Sequence, residues 1–400
     1  MSRVKTLQDI ALSGLVRSYD PETGLFHAKL VPTADGSEAV GQSFRYSGMA
    51  AIGLTTAGAR GLGDGGLPVA EICARLDERA LQGCDPLDLS LVLWGAAIAG
   101  RPTVRALLAR VEKEYRELRR WHTSMGLGWA LAGVEHAARL GGRAGASAAR
   151  LADSMAQDLL RYQQRRTGLF RMRPLRPRRR LVAALVESRI GTFANQIYPI
   201  YALSLYAART GKDEAVQAVR RCVHSVCRAQ GEKGQWWWMV DTKTGRWVDR
   251  YPVYAVHQDA MAPFGLHAAR ACWDGDTDAH IRRGLDCLFG DNELGISLVD
   301  ESEGVIWRAI QREDSISDGD YGAPSRTLWR RKLTGLGLDM LGQLRPPSDR
   351  LEILRECRTY HLGWVLFASE ALEHAENAQA AAPPDGPPIA RMSETHGTRR

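Results

Sequence analysis

No stretch of this chain runs for about 18 apolar residues, so no segment is built to span a bilayer as a helix. The opening, MSRVKTLQDIALSGLVRSYD, has no long apolar centre and no small-residue cleavage site. It reads as an amphipathic helix rather than a signal peptide. Cysteine is scarce and badly spaced for metal or disulfide work. The seven are Cys73, Cys84, Cys222, Cys227, Cys272, Cys287 and Cys357, an odd number with no CxxC pair. That usage excludes a zinc ribbon and a disulfide framework, and it points to a reducing, cytoplasmic compartment. GxxxxGK[ST] and HExxH are absent. The single GxGxxG string, Gly61 to Gly66, follows an apolar helix and not a strand, so it reads as a connection. No cofactor and no metal are expected. Formal net charge is +7, and the densest basic run is Arg171 to Leu181. No aromatic interleaving accompanies that run, so no nucleic-acid partner is expected. A basic balance also suits an acidic small ligand.

Periodicity is what the chain has in abundance. Five segments look alike, beginning at Arg45, His122, Asn195, His257 and Tyr360. Each opens with polar or aromatic residues and continues as a largely apolar helix. A sixth begins at Asp88 with a weaker opening. Helices apolar all round are buried on all sides. Between them lie amphipathic helices at about 5–18, 67–82, 103–119, 147–164, 213–229 and 277–290. Six apolar helices alternating with six polar-faced ones pack most simply as an inner ring inside an outer ring. The expected fold is all-α, an (α/α)₆ toroid of six helical hairpins over residues 1–376, with a disordered tail at 377–400.

Connections sort by direction. Inner-to-outer links are short turns; outer-to-inner links are often long, at 20–44, 165–194, 230–256 and 291–357. The long links therefore gather at one mouth of the ring, where the inner helices begin. Loops longer than about 15 residues in a compact domain are usually functional. QWWWMVDTKTGRWV and GISLVDESEGVIWRAI read as short β-hairpins inserted there. A smaller repeat marks the ends of outer helices: Thr23-Gly24-Leu25-Phe26 recurs as Thr167-Gly168-Leu169-Phe170, with looser versions ending at Trp236 and Trp247. Glycine followed by an aromatic plug is good stop chemistry for a helix.

Six hairpins with Gly-x-aromatic turns at helix ends resemble the (α/α)₆ toroid superfamilies over about residues 5–375. One is the six-hairpin group of glycosidases, polyuronate lyases and sugar epimerases. The other is the terpenoid cyclase and protein prenyltransferase group. Val226, Gln230, Gly234 and Trp236 fit the spacing of a cyclase repeat, but no Asp-Asp pair occurs anywhere. The resemblance therefore implies a carbohydrate-active enzyme acting on an oligosaccharide or sugar conjugate. An isoprenoid cyclase or transferase is the alternative, and a non-catalytic binding protein on the same fold is a third reading. Oligomeric state is not legible.

The densest polar stretch is Asp249 to Asp259, entering an inner helix. Candidate catalytic residues are Tyr254, His257, Asp259, Asp241, Asp249 and His122. Candidate substrate-binding residues are Arg45, Tyr46, Asn195, Gln196, Tyr198, Trp236, Trp237, Gln258, Tyr360 and His361. A hydrolase would use paired carboxylates from Asp241, Asp249 and Asp259, with Asp88 and Asp300 further back. A lyase or epimerase would use Tyr254 or His257 as base, with Asn195 and Arg45 stabilising developing charge. Both mechanisms are open at this stage.

Overall fold

The structure is a computed structural model and describes residues 2–34, 36–118, 123–173, 189–313 and 349–380. Thirteen α-helices lie among the described residues. The inner helices are α2 (Phe44–Ala59), α4 (Pro86–Ile98), α6 (Ser124–Ala138), α8 (Ala194–Thr210), α10 (Ala262–Ala269, entered through a π-helical turn at His257–Met261) and α12 (Thr359–Phe367). Each packs on the next, and α12 packs back on α2, so the ring closes. The outer helices are α1 (Arg3–Ser18), α3 (Val69–Gln82), α5 (Val104–Leu118), α7 (Gly142–Leu160), α9 (Asp213–Arg228) and α11 (Thr277–Leu288). A further helix, α13 (Ser369–Ala380), fills the outer seam between α11 and α1. It carries helix four residues past the domain end read from composition.

Small residues set the width of the ring. A Cβ on Gly53 of α2 would stand 2.0 Å from the Gly363 carbonyl oxygen of α12. One on Gly133 of α6 would stand 3.0 Å from the Ser90 carbonyl of α4, and one on Gly128 would stand 2.9 Å from the Tyr198 backbone of α8. Inner helices thus touch backbone to backbone, which leaves only a narrow axis. Aromatic side chains fill it: Trp94 stacks on Tyr201 at 5.2 Å, and Trp364, Phe264 and Phe367 close around them at 5.4–5.7 Å. The Tyr201 hydroxyl meets His136 Nε2 at 2.9 Å. Burial holds His136 near a pKa of about 3, so its ring is neutral.

The Gly-x-aromatic turns are anchored by the inner helices. Phe26, Phe170 and Trp236 are fully buried. Their backbone N–H groups donate to Ser47 Oγ (2.9 Å), Gln196 Oε1 (2.7 Å) and Gln258 Oε1 (3.2 Å). Both glutamines also donate to the plug's carbonyl, at 3.0 and 3.3 Å. Three hairpins therefore carry the same device at the same place. Gln258→Leu should lower stability by about 1–3 kcal/mol, because the Trp236 N–H is left buried without an acceptor. Urea denaturation reads this directly, and an unchanged midpoint would show that the bond is dispensable.

The long outer-to-inner links form small antiparallel sheets at the mouth. β1 (Tyr19–Asp20), β2 (Leu25–Thr33) and β3 (Gly36–Gln42) make a meander between α1 and α2. β4 (Ile190–Thr192), β5 (Met239–Asp241) and β6 (Trp247–Asp249) form a second sheet. β7 (Val253–Tyr254) pairs with β10 (Ala309–Arg312), which pairs with β11 (Leu351–Leu354); β8 (Val299–Asp300) pairs with β9 (Val305–Ile306); and β12 (Cys357–Arg358) joins β2. The hairpins expected from QWWWMVDTKTGRWV and GISLVDESEGVIWRAI are β5–β6 and β8–β9. The meander was not expected although its strands are neighbours in sequence; the β7–β10–β11 sheet was not legible because its strands lie far apart. No described helix is long and apolar enough to cross a membrane, and all seven cysteines are free thiols.

Candidate active site

All six inner helices run in one sense, so their N-termini ring a single mouth and aim partial positive charge into it. The residues at and just inside those N-termini are Arg45, Tyr46, Asp88, Asn195, Tyr198, Tyr254, His257, Tyr360 and His361. His122, expected at the start of α6, lies outside the described residues, as do Pro174–Leu181 of the basic run. In its place the described start of α6 is Thr123, which caps the helix by accepting from the Gly126 N–H at 3.1 Å.

Asp88 occupies the first turn of α4, behind the Asp85 N-cap and Pro86. Arg45 from α2 reaches across and donates through Nε to Asp88, and through Nη2 to Asp85 at 3.2 Å. The guanidinium also stands 6.0 Å over the Trp129 ring of α6, and Trp129 meets Tyr198 of α8 edge-on at 5.3 Å. Tyr46 and Tyr360 lie with ring centroids 4.7 Å apart. Five inner helices thus contribute cation, carboxylate and aromatic faces to this side of the mouth. Burial raises the pKa of Asp88, and the adjacent Arg45 only partly opposes it. A carboxyl group with its proton held to higher pH is suited to donate one.

The opposite wall is made by α10 and α12. His361 Nε2 is 2.7 and 2.9 Å from the two oxygens of Asp259, and both residues are buried. Burial raises the pKa of Asp259 and His361 opposes it. His257 Nδ1 stands 3.1 Å from the Trp236 carbonyl, with Phe193 and Tyr254 against its ring at 4.6 and 5.4 Å. Burial depresses its pKa to about 3, so it is a neutral imidazole with its proton on Nδ1. Tyr254 also meets Trp238 edge-on at 5.6 Å and carries Arg308 over its ring at 5.2 Å. Trp237 lies beside Tyr251 and under Arg250.

Behind this wall, Glu356 receives Arg308, Arg358 Nε at 2.8 Å and Lys29 Nζ at 2.9 Å. Burial would raise its pKa, but the three cations overcome that and hold it at about 2. A carboxylate with its pKa lowered on folding adds stability above its ordinary pKa of 4.5, and loses it as pH falls towards about 2. Glu356→Gln should therefore flatten the acid-denaturation profile over that window. An unchanged profile would show that other carboxylates set it.

Several expected site residues serve the fold instead. Asp241 accepts from Arg189 Nε and Nη2 at 3.0 and 2.7 Å, from Thr244 Oγ1 at 2.9 Å and from the Lys243 N–H at 3.0 Å. Burial would raise its pKa, but these donors lower it, so it is a fixed anion in the β5–β6 turn. Asp20 and Asp300 cap their hairpin turns the same way, through Thr23 and Ser302. An Asp four residues before the turn glycine is thus part of the turn. Gln196, Gln258 and Trp236, expected to bind ligand, form the plug device described above. Asn195, in the first turn of α8, accepts from Thr192 N–H and Oγ1 at 2.9 and 3.0 Å and so ties the end of β4 to the helix. Asp249 ends β6. Arg45, expected to meet substrate, stays at the mouth while pairing with Asp85 and Asp88. What sequence reading undervalued is Asp88 itself, along with Trp129; the Asp-Pro cap three residues earlier was the available signal.

Ring, hairpin insertions and mouth define an (α/α)₆ toroid. Solved structures share it along nearly the whole chain. An unsaturated glucuronyl hydrolase specific for heparin superposes with a TM-score of 0.57 at 13% identity, over 94% of this chain and 98% of its own. A possible member of the GH105 family from Salmonella enterica gives 0.55 at 12%, over 94% and 95%. The Streptococcus agalactiae unsaturated glucuronyl hydrolase, solved as a mutant with dGlcA-GalNAc6S, gives 0.53 at 10%, over 92% and 90%. No protein-family model matches the chain, and no curated protein matches it by sequence.

Proposed function

We propose that this protein is a glycoside hydrolase acting on acidic oligosaccharides at the mouth formed by the inner-helix N-termini. The observation that carries the reading is the Arg45–Asp88–Trp129 wall. It sets a carboxyl group with a raised pKa beside a guanidinium and an aromatic face, which are the groups that protonate a glycosidic oxygen, meet an acid sugar and stack on a ring. Asp88 is the general acid; Tyr46, Tyr198, Trp237 and Tyr360 are the sugar platforms. The solved neighbours support this, since those named as enzymes are glucuronyl hydrolases and one holds an unsaturated glucuronyl disaccharide. The isoprenoid reading needs a deep apolar cavity inside the ring, and Trp94, Tyr201, Phe264, Trp364 and Phe367 fill that space.

A thermal-shift panel tests the proposal, with unsaturated and saturated uronyl disaccharides, neutral disaccharides and isoprenyl diphosphates side by side. At about 100 times its dissociation constant, a ligand of the folded state adds about 2.7 kcal/mol. A rise with uronyl sugars alone supports the reading. A rise with an isoprenyl diphosphate alone overturns it.

A further inference from the structure

Asp259 and His361 meet across the seam where α10 and α12 complete the ring. The Asp259 side chain is 0% exposed and that of His361 is 3% exposed. Both carboxylate oxygens lie within hydrogen-bond distance of Nε2. Nε2–H therefore donates to the carboxyl group, and in the uncharged form of the ring the lone pair is on Nδ1. No described residue bonds Nδ1, and it is not among the buried polar atoms left without a partner. Among the described residues Nδ1 of His361 is thus uncommitted, on a side chain that is 3% exposed. Tyr360, the preceding residue, is at the mouth against Tyr46.

Two features argue against a mere staple. An uncharged side-chain pair would tie the seam at far lower desolvation cost than a carboxylate sealed from water. In addition, Asp259 sits in the π-helical turn His257–Met261, the only such turn among the described residues. A π-turn inserts one residue into a helix at a cost in regularity, and such turns are found mostly at functional sites. His257 beside it has its own tautomer fixed by the Trp236 carbonyl, so the wall holds two imidazoles oriented by buried acceptors. The other groups facing the pair are Tyr254, next to His257, and the buried thiol of Cys357, near Asp259.

We infer that His361 is a catalytic proton acceptor at the mouth and that Asp259 is its positioning residue. The inference rests on the hydrolase reading above. In the step it serves, a water molecule gives one proton to His361 Nδ1 while its oxygen bonds to the anomeric carbon. The glycosidic C–O bond breaks, and the leaving oxygen takes the proton held by Asp88. Asp259 stabilises the imidazolium formed, which returns its proton to solvent as Asp88 regains one.

The test uses the full chain with dGlcA-GalNAc6S and related uronyl disaccharides. His361→Gln should lower kcat by about 100-fold or more with KM changed by less than about threefold. Asp259→Asn should lower kcat with KM little changed, because the ring loses the carboxylate that orients it. Imidazole added to His361→Ala should restore part of the rate. Long-range proton–nitrogen NMR of the unmodified protein provides a measurement independent of variant folding: His361 should carry its proton on Nε2, and its Nδ1 signal should shift when the disaccharide binds. A wild type that cleaves the disaccharide while His361→Gln retains its kcat would reduce the pair to a staple and leave the hydrolase reading standing. An Nδ1 signal unmoved by ligand would do the same. A wild type that neither binds nor cleaves any uronyl sugar would sink the hydrolase reading, and this inference with it.

Discussion

Gly53→Val should destabilise the fold by about 4 kcal/mol, the range reserved for the most disruptive single changes. A Cβ at this position of α2 meets the Gly363 carbonyl oxygen at 2.0 Å and its carbon at 2.7 Å. The reverse contact is as tight: a Cβ on Gly363 meets the Met49 carbonyl oxygen at 2.6 Å. Both obstacles are backbone atoms within helices, so no side chain can swing aside. Overfilling a core with side chains alone costs about 1–3 kcal/mol, and here the first and last inner helices themselves must separate. Gly58, one turn further along α2, has nothing within 4 Å of its ideal Cβ. Gly58→Ala should be neutral or stabilising by about 0.5–1 kcal/mol through helix propensity. Denaturation of the two variants side by side decides the matter. Equal midpoints for Gly53→Ala and Gly58→Ala would mean that the α2–α12 seam is loose.

Asp88→Asn is expected to abolish turnover of uronyl disaccharides, by about 10²–10⁴-fold in kcat, with the fold intact. Asparagine matches aspartate in shape, and Arg45 retains Asp85 as a partner at 3.2 Å. The pH dependence follows from the sign of the shift. Burial raises the Asp88 pKa, so the protonated, donating form survives to higher pH, and activity falls as pH rises through that raised value. Arg45 is what opposes the rise. Arg45→Gln should therefore move the basic limb of the kcat/KM profile further up in pH, provided residual activity can be followed. A basic limb that stays where it is in Arg45→Gln would assign it to another group. Full activity in Asp88→Asn would remove Asp88 from the chemistry.

The ring was legible because its signal is local and repeated. The apolar segments from Arg45, Asp88, Asn195, His257 and Tyr360 each became an inner helix. The outer helices likewise lie within a few residues of their amphipathic periods. Thr-Gly-Leu-Phe, expected to end outer helices, instead forms turns a few residues beyond α1 and α7, with Gly24 in the β1–β2 turn; Asp276 caps α11 by accepting from the Ala279 N–H at 2.8 Å. The site was legible in part. Polar residues at inner-helix starts do surround one mouth, but residue type alone could not separate those that face it from those that hold it together. Gln196 and Gln258 sit in the first turn of their helices and are spent on Phe170 and Trp236; Asp241 is spent on Arg189 and its own turn.

The alternation of inner and outer helices and the side on which long links gather were thus determined by the sequence, because amphipathic period and turn chemistry act over a few residues. Tertiary structure alone decided which charges meet. Arg45 finds Asp88 43 positions away, Asp259 finds His361 102 positions away, and Glu356 finds Lys29 327 positions away. Those encounters follow from closing a ring whose seams are cut to backbone contact by Gly53, Gly128, Gly133 and Gly363. In that setting, burial sets the protonation of Asp88 and His257, and no property of either residue type could have foretold it.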